Sequence, residues 1–318
     1  MSDSIKAVLL LGFGGPPKAE DAESFVRSVV GNRPGQESRI SKAVEHYRRI
    51  GGSPFAEIFR NQALALERSL SEQGLSVPVF IGFRHWTPFI GETIEAMTRA
   101  RIGRVLAVIM APHRCYANDR RYLVALEDAR QQIGPRAPSV SLPDPWHLET
   151  GFITAVGNRL QDVAREIGPN AWNESSLVFS AHAIPDAACQ ACPFSSPRCP
   201  YMSQIRESAN AVARSMDIEQ HHVGYQSISS GIGPWTRPDL ESILNTLSSR
   251  GKGRVVVCPI GFLSDHVEVL YDLDVEFGQK IGNRGLLYHR AATVGCHPDF
   301  IQWLTGLVES FIADGGQN

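Results

Sequence analysis

Short, unbroken apolar runs recur along this chain, and the stretches between them carry helical spacing. The clearest runs are 7–12 (AVLLLG), 77–82 (VPVFIG), 105–110 (VLAVIM), 177–179 (LVF) and 255–258 (VVVC), with shorter ones at 139–142, 223–226 and 286–288. A strand that is apolar without alternation has both faces covered, which is the pattern of a parallel sheet between helical layers. The intervening segments 20–30, 38–47, 55–70, 90–99, 123–132, 153–167, 204–216, 238–248 and 298–312 place apolar residues three and four apart, as in Phe55, Ile58, Ala63, Leu66 and Leu70. Strands alternating with helices build βαβ units. The order of elements starts again after Pro143-Asp144-Pro145, so the sequence predicts an α/β protein of two Rossmann-like domains, 1–145 and 146–318. Each is expected to hold a parallel four-stranded sheet, with a cleft between the two.

Composition narrows the partners. The formal net charge is −2 over 318 residues, which gives no basic field for nucleic acid. No apolar run approaches the roughly 20 residues of a membrane span. The start, MSDSIKAVLLLGF, leads straight into a strand without the basic, apolar and cleavage regions of a signal peptide. The chain therefore reads as a soluble cytoplasmic protein, whose six cysteines are expected to be reduced thiols or metal or cluster ligands. The glycines of Phe13-Gly14-Gly15-Pro16-Pro17 match neither GxGxxG nor GxxxxGK[ST], so nucleotide binding is weakly supported.

Two polar features stand at strand tips, where open α/β sheets bind ligands. His182 ends the 177–179 run and can exchange a proton or bind a metal near neutral pH; a satisfied loop or helix-capping histidine is the plain alternative. After the 255–258 run comes GFLSDHVEVLYDLDVEF. A helix beginning at Asp265 would stack Glu268, Asp272 and Glu276 on one face at i, i+4 and i+8. A solvated face explains such a row, but Val267, Leu270, Tyr271 and Leu273 surround it with apolar side chains. A carboxylate row beside a cleft also suits the passage of a divalent cation. A third feature is the loop 187–201, in which Cys189, Cys192 and Cys199 crowd together.

The segments FSAHAIP (179–185), FLSDHVEVLYDLD (262–274), GPWTRPD (233–239), EHYRRIGGSPF (45–55) and GFGGP (12–16) occur in the order of the signature segments of ferrochelatases. The chain resembles that family from residue 7 to about residue 312. The resemblance implies two Rossmann-like domains around a porphyrin cleft, and insertion of Fe(II) into a porphyrin in haem biosynthesis with release of two protons. It implies catalytic roles for His182 and Glu268, and a route for iron or protons through Asp272 and Glu276. Phe13, Tyr47, Ser53 and Tyr122 resemble porphyrin contacts, with Arg33, Arg84 and the neighbourhood of His46 pairing with propionates. Some members have tyrosine where Phe13 stands, and others carry an arginine pair near Val29-Val30 that is absent here. The EHYR segment and the NRPG loop look closer to bacterial enzymes that take coproporphyrin III than to those that take protoporphyrin IX.

The cysteine loop looks like an insertion relative to simpler members, some relatives of which hold a [2Fe–2S] cluster. A cluster needs four thiolates. By resemblance Cys115 joins Cys189, Cys192 and Cys199, because other cluster-bearing members place their lone N-terminal ligand near it; Cys258 and Cys296 are the other candidates. A structural zinc is the alternative for CxxC spacing. The competing functions are a chelatase for another tetrapyrrole such as sirohydrochlorin, and a non-catalytic porphyrin or haem carrier. Peripheral membrane contact and oligomeric state stay open. His221, His222, His289 and His297 receive no role.

Overall fold

In a computed structural model the described residues are 4–31, 35–190, 192, 199–228, 233–247 and 253–313, with the side chains of 116–118 left aside. They hold two four-stranded sheets, both wholly parallel. The first has the order β2-β1-β3-β4, with β1 Ala7–Gly12, β2 Val79–Phe83, β3 Arg104–Ile109 and β4 Ser139–Ser141. The second has the order β6-β5-β7-β8, with β5 Ser175–His182, β6 His221–Gln226, β7 Arg254–Cys258 and β8 Leu287–Arg290. The two sheets therefore share one topology, and the expected α/β class and strand content are observed.

Burial explains why the runs are strands. Every residue of β1 is buried, as are seven of the eight in β5. In the first unit Leu9, Leu11, Val105 and Ala107 of the sheet pack with Ile90, Ile94 and Met97 of the helix Ile90–Arg99 and with Tyr122, Leu126 and Ala129. In the second, Val178, Val255 and Val257 pack with Ile243 and Leu244 from one helix and with Val269, Leu273, Phe277 and Ile281 from the acidic segment. Each such apolar side chain contributes about 1.5–3 kcal/mol relative to exposure.

The compact units do not follow a simple halving of the chain. One comprises Met1–Pro112, Asn118–Trp146 and Cys296–Asn318; the other comprises His113–Ala117 and His147–Gly295. The helix Pro298–Ala313 belongs with the first because Trp303 stacks on Phe300 and Trp146, and Thr305 Oγ1 lies 2.8 Å from Ser69 Oγ. Residues 113–117 belong with the second, where the His113 ring packs near His147 and Phe152. His113 Nε2 lies 3.0 Å from Ser208 Oγ, and the Arg114 N–H donates to Gln204 Oε1 at 2.6 Å. Burial lowers the His113 pKa to about 3, so the ring is neutral.

Topology decides where chemistry can sit. In each sheet the chain runs from the second strand in the order to one side, then crosses back to the other. The switch points fall between β1 and β3 and between β5 and β7. Open parallel sheets bind ligands beyond the carboxyl ends of the strands at such points. Phe13 follows β1 directly, and His182 ends β5. No helix among the described residues is long and apolar enough to cross a membrane.

Candidate active site

In the second unit His182 is placed by its neighbours on both sides. It pairs in register with Gln226 of β6, and the Ala183 N–H donates to the Gln226 carbonyl at 2.8 Å. The Tyr201 hydroxyl donates to the His182 carbonyl at 2.9 Å. The turn after β7 closes against β5 at Gly261, whose N–H donates to the Ser180 carbonyl at 3.1 Å. A Cβ on Gly261 would stand 2.8 Å from Ala181 Cβ and 2.9 Å from Ala181 Cα. Only glycine permits that approach.

The chain beyond Gly261 departs from the single helix predicted from Asp265. His266 caps instead, its Nδ1 accepting from the Glu268 N–H at 3.2 Å, and one α-turn spans Val267–Leu270. A π-helical segment, Asp272–Phe277, follows, with the Glu276 N–H donating to the Tyr271 carbonyl at 2.9 Å. The wider turn breaks the strict i, i+4, i+8 stacking. Such segments are rare and concentrate at functional sites. Glu268 is held by the His266 cap at its N–H and by Gln226 Nε2, which donates to its carbonyl at 2.5 Å.

His182 Nδ1 thereby comes to 3.0 Å from Glu268 Oε2, the two side chains being 38% and 31% exposed. The angle misses that of a good hydrogen bond, so the contact is chiefly electrostatic. Nδ1 itself is buried, which leaves Nε2 as the ring's other polar atom for a substrate. Burial alone would lower the His182 pKa, but the Glu268 charge overrides it and the net shift is upward. Glu268 responds in kind: burial would raise it, yet the His182 charge holds it down to about 2. Next along the segment, Asp272 is pushed up to about 7 by burial and by the Glu268 charge, despite a hydrogen bond from the Ser227 hydroxyl. Glu276 is exposed and paired with Lys280 at 3.3 Å. The acids thus run from a paired, half-buried Glu268 through a protonatable Asp272 to a solvated Glu276. Among the described residues no three His, Cys, Asp or Glu side chains converge closely enough to cage one metal ion.

Cys115 and Cys189 lie near Tyr201, which holds the His182 carbonyl. Cys115 and Cys192 are buried, and Cys189 and Cys199 partly so. The Cys189 thiol is pushed up to about 12, first by burial, then by the charge and hydrogen bonding of Cys199 and by Cys115.

In the first unit the tip of β1 carries an aromatic group. The Phe13 ring is partly exposed and lies 4.7 Å from the His85 ring and 6.2 Å from Phe25. The Arg84 guanidinium stands 5.5 Å from the Phe13 ring centre and 5.3 Å from that of Tyr122. Burial and the Arg84 charge lower His85 to about 4, so it is neutral at physiological pH. Tyr47 is buried with its ring 5.6 Å from Phe25. Ser53 is buried too, its N–H donating to the Pro16 carbonyl at 2.7 Å. Tyr122 is buried beneath Arg84, and His46 is partly exposed on the helix Glu37–Ile50. Arg33 lies outside the described residues.

Sequence reasoning did not single out Gln226, Ser227, Tyr201, His266 or Arg290. Gln226 had a legible signal, a polar residue closing a strand that enters a sheet edge. Ser227, Tyr201 and Arg290 act through contacts distant in sequence, whereas His266 caps locally.

Two parallel sheets of one topology, with titratable side chains at the tips of β5 and after β7, define a chelatase-type α/β fold. The iron(III)-bound SirB of Bacillus subtilis superposes with a TM-score of 0.61 at 14% identity over 98% of both chains. The cobalt complex of the sirohydrochlorin chelatase SirB from Bacillus subtilis subspecies spizizenii gives 0.56 at 12% identity, again over 98% of each. At these identities the likeness is one of fold. Sequence carries the assignment further: the ferrochelatase family model matches residues 5–311. A ferrochelatase of Rhodopirellula baltica is 33% identical over 95% of this chain and 84% of its own length. A coproporphyrin III ferrochelatase of Nocardia farcinica is 32% identical over 97% and 89%, and one of Oceanobacillus iheyensis 30% identical over 95% of each. The chain belongs to the ferrochelatase family.

Proposed function

We propose that this ferrochelatase inserts Fe(II) into coproporphyrin III, with His182 and Glu268 as the catalytic pair. Insertion exchanges two pyrrole protons for one Fe(II), so a site must accept protons while tolerating a dication. The observation that carries the reading is the 3.0 Å pair of His182 and Glu268 with Asp272 next to it, raised to about 7. Neutral His182 takes up a pyrrole proton, and ionised Glu268 stabilises the imidazolium that results. Asp272, half-protonated near neutrality, passes protons on, and Glu276 at the surface meets solvent. A carrier of porphyrin or haem has no use for this gradient of proton affinities.

The porphyrin preference rests on the relatives named coproporphyrin III ferrochelatases. Phe13 offers an aromatic face, and Arg84 and His46 offer charge or hydrogen bonds to propionates. Arg33 is proposed as a further propionate contact. Tyr47, Ser53 and Tyr122, which are buried, support these groups from beneath.

Cys115, Cys189, Cys192 and Cys199 are proposed to hold a [2Fe–2S] cluster. The proximity of Cys189 to Cys199 and Cys115 supports this set. A pair of irons takes two thiolates each, so four thiols need not converge on one point. Cys258 lies buried within β7. The cytoplasm is the proposed compartment, since free thiols and ferrous iron both persist in reducing surroundings.

The test is anaerobic Fe(II) insertion measured side by side with coproporphyrin III and protoporphyrin IX. Faster turnover of coproporphyrin III is expected. Preference for protoporphyrin IX overturns the substrate assignment, and tight porphyrin binding without turnover favours the carrier.

A further inference from the structure

The acidic segment carries five carboxylates between residues 265 and 276: Asp265, Glu268, Asp272, Asp274 and Glu276. Their partners divide them. Glu268 faces His182, Asp272 accepts from Ser227, and Glu276 pairs with Lys280. The other two converge on one side chain. Arg290, the last residue of β8, is 14% exposed; its Nε donates to Asp274 Oδ1 at 2.7 Å and its Nη1 to Asp265 Oδ1 at 3.4 Å. Nη1 also donates to the Ala291 carbonyl at 3.2 Å. Tyr288, two residues earlier on β8, donates its hydroxyl to Asp274 Oδ1 at 3.0 Å, and Thr293 donates to Asp265 Oδ1 at 3.1 Å.

We infer that Arg290 is a positioning residue for iron insertion, fixing the stretch that holds Glu268 and Asp272 from both of its ends. The proposal rests on the ferrochelatase reading of that pair. Asp265 stands just before the His266 cap, and Asp274 lies inside the π-helical segment. Glu268 and Asp272 lie between them. A π-helical turn is less favourable than an α-turn, so its persistence here needs an outside hold, and a planar guanidinium reaching two carboxylates from a sheet strand supplies one. Arg290 also neutralises Asp265 and Asp274. The charges left for a dication and its protons are then those of Glu268, Asp272 and the solvated Glu276. Lysine cannot do the same, because an ammonium lacks the fork that meets both partners at once.

The experiment compares wild type, Arg290→Gln and Arg290→Lys in anaerobic steady-state assays with Fe(II) and coproporphyrin III, each protein first checked by thermal melting. Displacement of Glu268 and Asp272 should cut kcat and raise the KM for Fe(II), together about tenfold or more in kcat/KM for iron. The KM for porphyrin should change less than about twofold, as expected when uniform substrate binding is untouched. Arg290→Lys should recover much of the melting temperature but little of the iron kinetics. A merely structural role predicts lower melting temperatures with unchanged kcat and KM per folded molecule, and that result overturns the proposal. Should Arg290→Gln not fold, native-like Arg290→Lys carries the same comparison, and wild-type iron kinetics in it overturn the proposal equally. Wild type that inserts no iron would instead strike at the underlying ferrochelatase reading, and the control shows this separately.

Discussion

At the scale of single residues, burial and nearby charge set the polar groups of the candidate site apart. His182 lies at a sheet switch point with Nδ1 against Glu268, whose charge raises its proton affinity. His266, two residues from Glu268, is buried and its pKa is lowered, so it serves as a neutral acceptor for a backbone N–H. Two histidines of one site are thus separated into different roles by their surroundings. His182→Ala should abolish Fe(II) insertion while porphyrin still binds, as followed by the shift of the porphyrin absorption band on titration. Turnover near that of wild type would remove His182 from the chemistry. His182 was legible in the sequence, as a histidine ending an apolar run. Its partnership with Glu268 was implied by the family resemblance, and the β5-β7 neighbourhood is what brings the two to 3.0 Å.

At the scale of the element, the acidic segment carries a turn that sequence periodicity does not register. Asp272 feels the charges of both Glu268 and Glu276, as the i, i+4, i+8 spacing implies, but a π-helical segment replaces the regular helix and Glu276 pairs with Lys280. A periodicity rule counts residues per turn and cannot register a widened one. The same element predicts a pH dependence of stability. Asp272 has a pKa near 3.9 in an unfolded chain and about 7 here. The folded state binds its proton more tightly, so this contribution is complete below about pH 4 and is lost as pH rises through about 7. His182, also raised, acts in the same direction above its unfolded pKa of about 6.5, whereas Glu268, held down to about 2, contributes above its unfolded pKa of about 4.3 and loses that only as pH falls through about 2. Asp272→Asn mimics the protonated acid. Its melting temperature relative to wild type should therefore climb between pH 4 and 7, as measured by thermal unfolding across that range. A flat difference would show that Asp272 does not carry the linkage.

At the scale of the whole molecule, segments remote in sequence are assembled into one working unit. Residues 113–117 join the second unit far from their place in the chain, and they bring Cys115 toward Cys189 and Cys199. If these thiols hold a cluster, Cys192→Ser should bleach the visible absorption of anaerobically purified protein and lower its melting temperature, since the metal ties together two remote segments. An unchanged visible spectrum would remove Cys192 from the ligand set, and a colourless wild type would favour zinc.

The amino-acid sequence by itself determined the α/β class, the strands, the parallel sheets and the family, because unbroken apolar runs and short motifs are local and survive reading in one dimension. It also singled out His182, Glu268, Asp272 and the cysteine group. Only the tertiary structure decided what those residues do to one another. The 3.0 Å approach of His182 to Glu268, the raised Asp272 and the hold of Arg290 on Asp265 and Asp274 all depend on which strands are neighbours. Proton affinity is set by burial and by charges a few ångströms away, and neither quantity is a property of sequence distance.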